Sequence, residues 1–315
     1  MQAQPNTGLS KVNALKNILH ETLKLDAEFY RKVAELEVDF DKQHKELFTK
    51  RSYIISGDHK PTEEESKWPF ESLVDNNEFA KMCIKDKDGQ EKAGMEHFWL
   101  TAMKNATNLD TMIFPQDVPV LEYLYDITCD SLPLASPGFV LNFHFKENPF
   151  FDNTVITKTY YLSFDLDKVD PLVYTGPEIS GHEGCKINWK TGKDVTVKTV
   201  KKTQKHKESK VKRVLTKTVE ADSFFNFFSM EKAMVEDVGD DEFIECDFAM
   251  GQFFRELFIP KAVLFYTGEY VDDLDDDEMS DDEDDDDSSD DEDESHDECC
   301  PVDEKDLLAF KGFSK

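Results

Sequence analysis

The sequence predicts an α+β protein: a long dimerisation helix, then a domain in which helices pack against an antiparallel sheet, then a disordered acidic C-terminal tail. Three observations carry that expectation. Residues 12–50 contain no Gly or Pro and repeat apolar side chains at helical spacing, "GFVLNFHFK" at 138–146 alternates at strand spacing, and residues 272–298 hold twenty acids with no Lys or Arg. The implied organisation is a disordered start at 1–11, the helix at 12–50, an α+β domain at 51–271, the tail at 272–298 and a short end at 299–315.

Within the helix, Leu15, Ile18, Leu25, Phe29, Val33, Leu36, Phe40 and Leu47 recur at gaps of 3, 7, 4, 4, 3, 4 and 7, close to a heptad seam. Such a helix runs on the order of 58 Å, longer than a small domain is wide. Its stripe is covered either by folding back on its own chain or by a second copy. Symmetric self-association makes the second arrangement cheap, and a homodimer is expected.

Residues 51–95 mix Gly, Pro and charge around Trp68 and Phe70, and read as a loop with one short surface helix. "MEHFWLTAMKNA" and "DVPVLEYLYDI" read as two short helices. In "GFVLNFHFK", Phe139, Leu141, Phe143 and Phe145 share one face of a half-buried strand. "TVITKTYYLSF" is its expected antiparallel partner, and "CKINWK" and "DVTVKTV" are further strand candidates. Residues 193–217 carry ten Lys or Arg against two acids and suggest a second, basic hairpin. After "SFFNFFS" come an acidic connector, "EDVGDDEFIECDF", and an amphipathic helix through "GQFFRELF"; the aromatics of both Phe-rich strings are expected in the core.

Of the formal charge of -31, the run at 272–298 supplies -20. A chain this acidic is repelled by phosphate backbones and anionic membranes, which makes nucleic acid and lipid poor direct partners and basic proteins good ones. The first residues lack a charged segment followed by an apolar stretch, and no run of about 18 apolar residues occurs, so a soluble, non-secreted protein is expected. Cys83, Cys129, Cys185, Cys246, Cys299 and Cys300 form no CxxC pair, which points to reduced thiols in cytosol or nucleus.

No catalytic constellation stands out. His182 and Cys185 are half a zinc site at most, expected to be a turn residue and a packed thiol. Gly176, Gly181 and Gly184 lack the Lys-Ser/Thr of a phosphate loop. Neither enzyme activity nor a cofactor or metal is expected.

The acidic run has three readings: a solubilising chain, a weak calcium store, or an imitation of DNA charge for a cationic partner. Absent calcium-loop spacing and a secretory signal, the third fits better. Ser280, Ser288 and Ser289 precede acids and suit acidophilic kinases. The basic segment, with Lys201, Lys202, Lys205 and Lys207, suits nuclear import, a solvated hairpin tip or, least of all, DNA binding. Leu15, Leu19, Leu23 and Leu25 have the spacing of an export signal, which packing also explains. Leu307, Leu308, Phe310 and Phe313 suit a short docking motif or an untidy end.

Several strings together resemble the nucleosome assembly protein family of histone chaperones: "ALKNILHETLKLDAEFYRKVAELEVDF", "HFWLTAMKN", "GPEISGHEGCKINWKTGKDVTVKTVKKTQKHK", "TKTVEADSFFNFF" and "IPKAVLFYTGE", in order between about residues 12 and 271. The resemblance implies a dimer paired through the long helix and an acidic concave face that binds core histones, especially the easily exchanged dimer that contains H2B, with help from the tail. It further implies import receptors as partners, shuttling between nucleus and cytoplasm, delivery of histones for chromatin assembly, and no ATPase activity. Carried onto this chain, the histone-binding residues are Asp126, Asp130, Glu242, Glu245 and Asp247, with Asp284, Asp285, Asp286 and Asp287 in the tail. The alternative is a generic acidic adaptor whose domain binds signalling or transport partners while the tail only solubilises.

Overall fold

One uninterrupted helix, α1, runs from Thr7 to Ser56 in the computed structural model, which describes residues 7–69, 94–205, 212–229 and 240–270. Its 50 residues span about 75 Å, longer than the sequence predicted at both ends. Ion pairs one turn apart support the exposed surface, with Lys24 Nζ 2.9 Å from Glu21, Lys32 2.7 Å from Glu28 and Lys42 2.8 Å from Asp39. The helix stops at Gly57, whose φ of 86° is the left-handed conformation that ends helices and that a Cβ disfavours.

Two opposite stripes run along α1. Leu23, Ala27, Tyr30, Ala34, Val38, Phe48 and Ile55 are partly or fully buried, where the helix packs on β1 (Leu124–Ser131) and on a 3₁₀ turn at Pro171–Val173. Leu15, Ile18, Leu25, Phe29, Leu36, Phe40 and Leu47 lie on the other side and are all exposed, Leu25 by 67%. Folding back onto its own chain therefore covers a different face from the predicted seam. Val33 departs from that seam: it is half-buried and lines the groove toward the domain.

The sheet is antiparallel in the order β1-β2-β3-β4, with β2 at Gly138–Phe145, β3 at Val155–Ser163 and β4 at Glu178–Gly184. The alternation expected for β2 is observed, since Phe139, Leu141, Phe143 and Phe145 all point inward and are buried. Its predicted partner pairs with it from Gly138↔Tyr161 to His144↔Val155. A separate hairpin joins β5 (Val197–Lys205) to β6 (Lys212–Glu220), as the basic segment suggested.

Against the inner sheet face pack α2 (Phe98–Asn105), the short helices α3 (Thr107–Asp110) and α4 (Val118–Leu121), a 3₁₀ turn at Phe224–Phe228, and α5 (Asp240–Gln252), which continues as a π-turn at Phe253–Phe258 before α6 (Ala262–Thr267). Both Phe-rich strings are core, as expected: Phe143 meets Phe228 edge-on at 4.9 Å and Phe254 at 5.3 Å. Each such side chain contributes about 1.5–3 kcal/mol through burial. Asp117 is buried beneath this layer and accepts hydrogen bonds from Ser223 Oγ (2.6 Å), the Phe224 amide (2.8 Å) and the Phe114 amide (3.0 Å), tying α4 to the Phe-rich turn. Burial raises its carboxyl pKa above the ordinary value, and those three bonds oppose the shift.

Several expectations are corrected. Only Val118–Leu121 of "DVPVLEYLYDI" is helical; from Leu124 the aromatic and β-branched Tyr125, Ile127 and Thr128 enter β1, whose ladder to β2 outweighs the helical pattern. His182, expected as a turn residue, lies on β4 instead. "CKINWK" is not a strand, and its Trp189 makes a single bridge to Phe151. The acidic connector is helical from Asp240, and its Phe248 packs against Phe139 and Tyr160 of the sheet. Among the described residues Cys129 and Cys185 are free thiols. Outside the described residues are Lys207, the stretch 70–93, the acidic tail with Asp284, Asp285, Asp286 and Asp287, and the end at 299–315.

Candidate functional site

A strand presents alternate side chains to opposite faces, so the register that buries Phe143 and Tyr160 turns a polar set outward. On β1 that set is Asp126, Thr128 and Asp130, and on β2 it is Val140, Asn142 and His144. The ladders align Asp130 with Val140, Val140 with Thr159 of β3, and Thr159 with Glu183 of β4. One row thus crosses the open sheet face with a carboxylate at each edge, about 14 Å apart at the usual strand spacing. Glu183 is exposed and accepts a hydrogen bond from the Tyr161 hydroxyl at 3.2 Å.

The β1 acids also bind α1 to the sheet. Asp130 accepts from Lys45 Nζ at 2.6 Å and from Asn142 Nδ2 at 3.0 Å, and Ser131 donates to Asp41. Asp126 accepts from the Ser52 hydroxyl and lies near Arg51, whose guanidinium stacks 4.4 Å from the Phe48 ring and 5.1 Å from Trp99. Burial raises the Asp126 pKa above its ordinary value; the Ser52 bond and the Arg51 charge hold it back. Beside it, burial lowers the His144 pKa against the pull of Asp126 and Asp130, which favours neutral imidazole bonded to Thr128 Oγ1 at 2.9 Å.

On α5 the sequence candidates separate. Glu245 is exposed, and Glu242 lies on the first turns of the helix. Asp247 is not a surface acid. Its side chain is 6% exposed and pairs at 2.8 Å with Lys158, itself 2% exposed, whose Nζ also donates to the Phe227 carbonyl at 2.9 Å. His182 Nδ1 approaches its other oxygen at 3.5 Å, and Tyr160 donates to the Asp247 carbonyl at 2.8 Å. Here α5 crosses β3 so closely that a Cβ on Gly251 would sit 2.3 Å from the Tyr160 ring. Asp247 therefore anchors α5, and the candidate surface loses it.

In its place the fold supplies acids that sequence spacing did not single out. Glu178 and Glu183 stand exposed on β4, and Asp165, Asp167 and Asp170 on the loop before it. Plain alternation along β4 would put Glu178 and Glu183 on opposite faces; the irregularity between Tyr161 and Leu162, which pairs Ser163 with Glu178 and leaves Ser180 without a partner in the ladder, brings both to the open face and could not be read from spacing. The basic residues Lys201, Lys202 and Lys205 lie on β5, opposite Thr216, Leu215 and Lys212 of β6. Among the described residues no group of three or more His, Cys, Asp or Glu is placed to hold a metal ion, and no helix is long and apolar enough to cross a membrane.

Residues 10–269 match the family model described as Nucleosome assembly protein (NAP). Nucleosome assembly protein 1-like 1 of Xenopus tropicalis is 42% identical over 291 residues, covering 88% of this chain and 73% of the relative. The human Nucleosome assembly protein 1-like 4 is 38% identical over 295 residues, covering 88% and 78%. Among solved structures, Nucleosome Assembly Protein 1 from Plasmodium knowlesi superposes with a TM-score of 0.53 at 25% identity, over 85% of this chain and 99% of that one.

Proposed function

The chain belongs to the nucleosome assembly protein family and is a histone chaperone; we propose that it holds core histones, the H2B-containing dimer above all, on the open sheet face until DNA takes them. The observation that carries this assignment is the face itself: polar side chains crossing four strands, with Asp130 and Glu183 at its edges and Glu178 beside them. A sheet left open on one side normally faces water or a partner.

Binding here is charge competition combined with shape, without a catalytic step. The twenty acids of 272–298, Asp284, Asp285, Asp286 and Asp287 among them, add long-range attraction and salt dependence. The folded face, with Asp126 and Asp130 on the sheet and Glu242 and Glu245 on α5, adds selectivity. Two chains pair through the outward stripe of α1, which puts two sheet faces in one particle. Lys201, Lys202 and Lys205 of β5, with Lys207 of the same basic segment, serve import receptors, so the protein shuttles between nucleus and cytoplasm. Phosphorylation of Ser280, Ser288 and Ser289 adds further negative charge.

The test is selectivity. Fluorescent H2B-containing histone dimer and labelled lysozyme are titrated with the full chain at physiological salt. Preference for the histone dimer by tenfold or more, about 1.4 kcal/mol, supports the assignment; equal affinity for both would reduce the protein to a generic acidic adaptor.

A further inference from the structure

A groove of about 200 Å³ separates α1 from its own domain. Val33 and Val38 of α1 form one wall, and Leu134, Pro137, Leu162 and Phe248 form the other. Leu134 is 43% exposed although it lies in a concavity. At the floor Arg255 Nη2 donates to Glu37 at 2.8 Å, and Glu256 stands alongside. The groove thus combines apolar walls with polar surface in about equal parts, and holds one more carboxylate than cation. Concave, partly wet apolar surface with a few fixed charges is the usual form of a site that takes a side chain.

We propose that the groove is the dock for this chain's own C-terminal end, with Phe310 or Phe313 in the slot and Lys311 or Lys315 beside Glu256. Chemistry selects that segment. Beyond Tyr270, all three lysines and both aromatic residues fall within 305–315, while the acids fill what precedes it. It is the one stretch of 271–315 that offers aromatic side chains together with net positive charge, the complement of apolar walls and an excess carboxylate. Reach is sufficient: a coil of about 35 residues spans about 30–35 Å r.m.s., comparable to the diameter of a domain of this size.

A second copy is the competing occupant, and the fold argues against it. The exposed stripe at Leu25, Phe29, Leu36 and Phe40 points away from the groove, so a helix packed on that stripe does not enter the slot. Docking returns the acidic run to the domain as a loop closed at both ends, near the face it serves. This inference does not depend on what the protein carries, and its test contains no histone.

The experiment places a benzophenone side chain at position 310 of the full chain, irradiates it, and maps the adducts by mass spectrometry. The docked end predicts adducts on residues 131–138, 162 or 248–256. Leu134→Glu, an exposed wall position, lowers their yield by roughly tenfold, the loss that corresponds to about 1.4 kcal/mol of docking. Adducts on the Leu15–Leu47 stripe, adducts scattered without preference, or a yield indifferent to Leu134→Glu would each overturn the proposal. Phe313→Glu, at a position outside the described residues, serves as the second variant and also lowers the yield.

Discussion

Lys158 and Asp247 form an ion pair at 2.8 Å with side chains 2% and 6% exposed, joining the centre of the sheet to α5 across 89 residues of sequence. Removing one partner strands the other without water. Lys158→Met is expected to cost about 3–5 kcal/mol in urea unfolding, while the double variant Lys158→Met with Asp247→Leu regains most of that loss because neither charge remains buried. A double variant no more stable than the single one would mean that the pair does not act as a unit.

Asp126 gives a pH signature. Its folded pKa lies above the ordinary value of 3.8, so between 3.8 and the folded pKa the folded state binds more protons than the unfolded one. The contribution of this group to stability is therefore present at low pH and lost as pH rises through the folded pKa. Asp126→Asn removes that slope. Urea midpoints of the two proteins measured from about pH 4 to 7 should diverge, the parent falling relative to the variant, and parallel curves would contradict the assignment.

Glu65 behaves in the opposite sense. Lys50, the Thr62 amide and His59 hold its carboxyl at about 2, below the usual 4.5. The stability it supplies is present above 4.5 and lost as pH falls toward 2. A carboxyl carbon titration by NMR should place the Glu65 midpoint at about 2, and Lys50→Met should move it upward.

Glu183 and Glu178 test the open face. Glu178→Gln with Glu183→Gln should leave unfolding unchanged, because both side chains are exposed. The affinity for the H2B-containing histone dimer should fall and its salt dependence should flatten. Ending the chain at Val271 should weaken histone binding without abolishing it; complete loss would assign all the binding to the tail.

Much of this architecture was legible because it rests on local periodicity. Phe139 to Phe145 announced a strand by alternation alone, and the exposed stripe from Leu15 to Leu47 followed from heptad spacing. The second stripe of α1, through Ala27, Ala34 and Val38, was harder to see because small residues carry little hydropathy. β4 stayed hidden because Gly181 and Gly184 give it few side chains to alternate. Asp247 was misplaced for a different reason. Whether an acid on a helix faces water depends on its tertiary partner, and Lys158 is far away in sequence. Similarly, nothing local tells Asp130 to meet Lys45, 85 residues earlier.

A helix-paired dimer that carries histones is the central claim, and the mass of the particle tests it most directly. Light scattering of the purified chain at physiological salt should give a species of about twice the 36.3 kDa chain mass. That species should gain discrete increments of mass with the H2B-containing histone dimer, and Leu25→Glu with Phe29→Glu should halve the starting mass. A monomer before substitution, or a dimer that takes up no histone, would contradict the account.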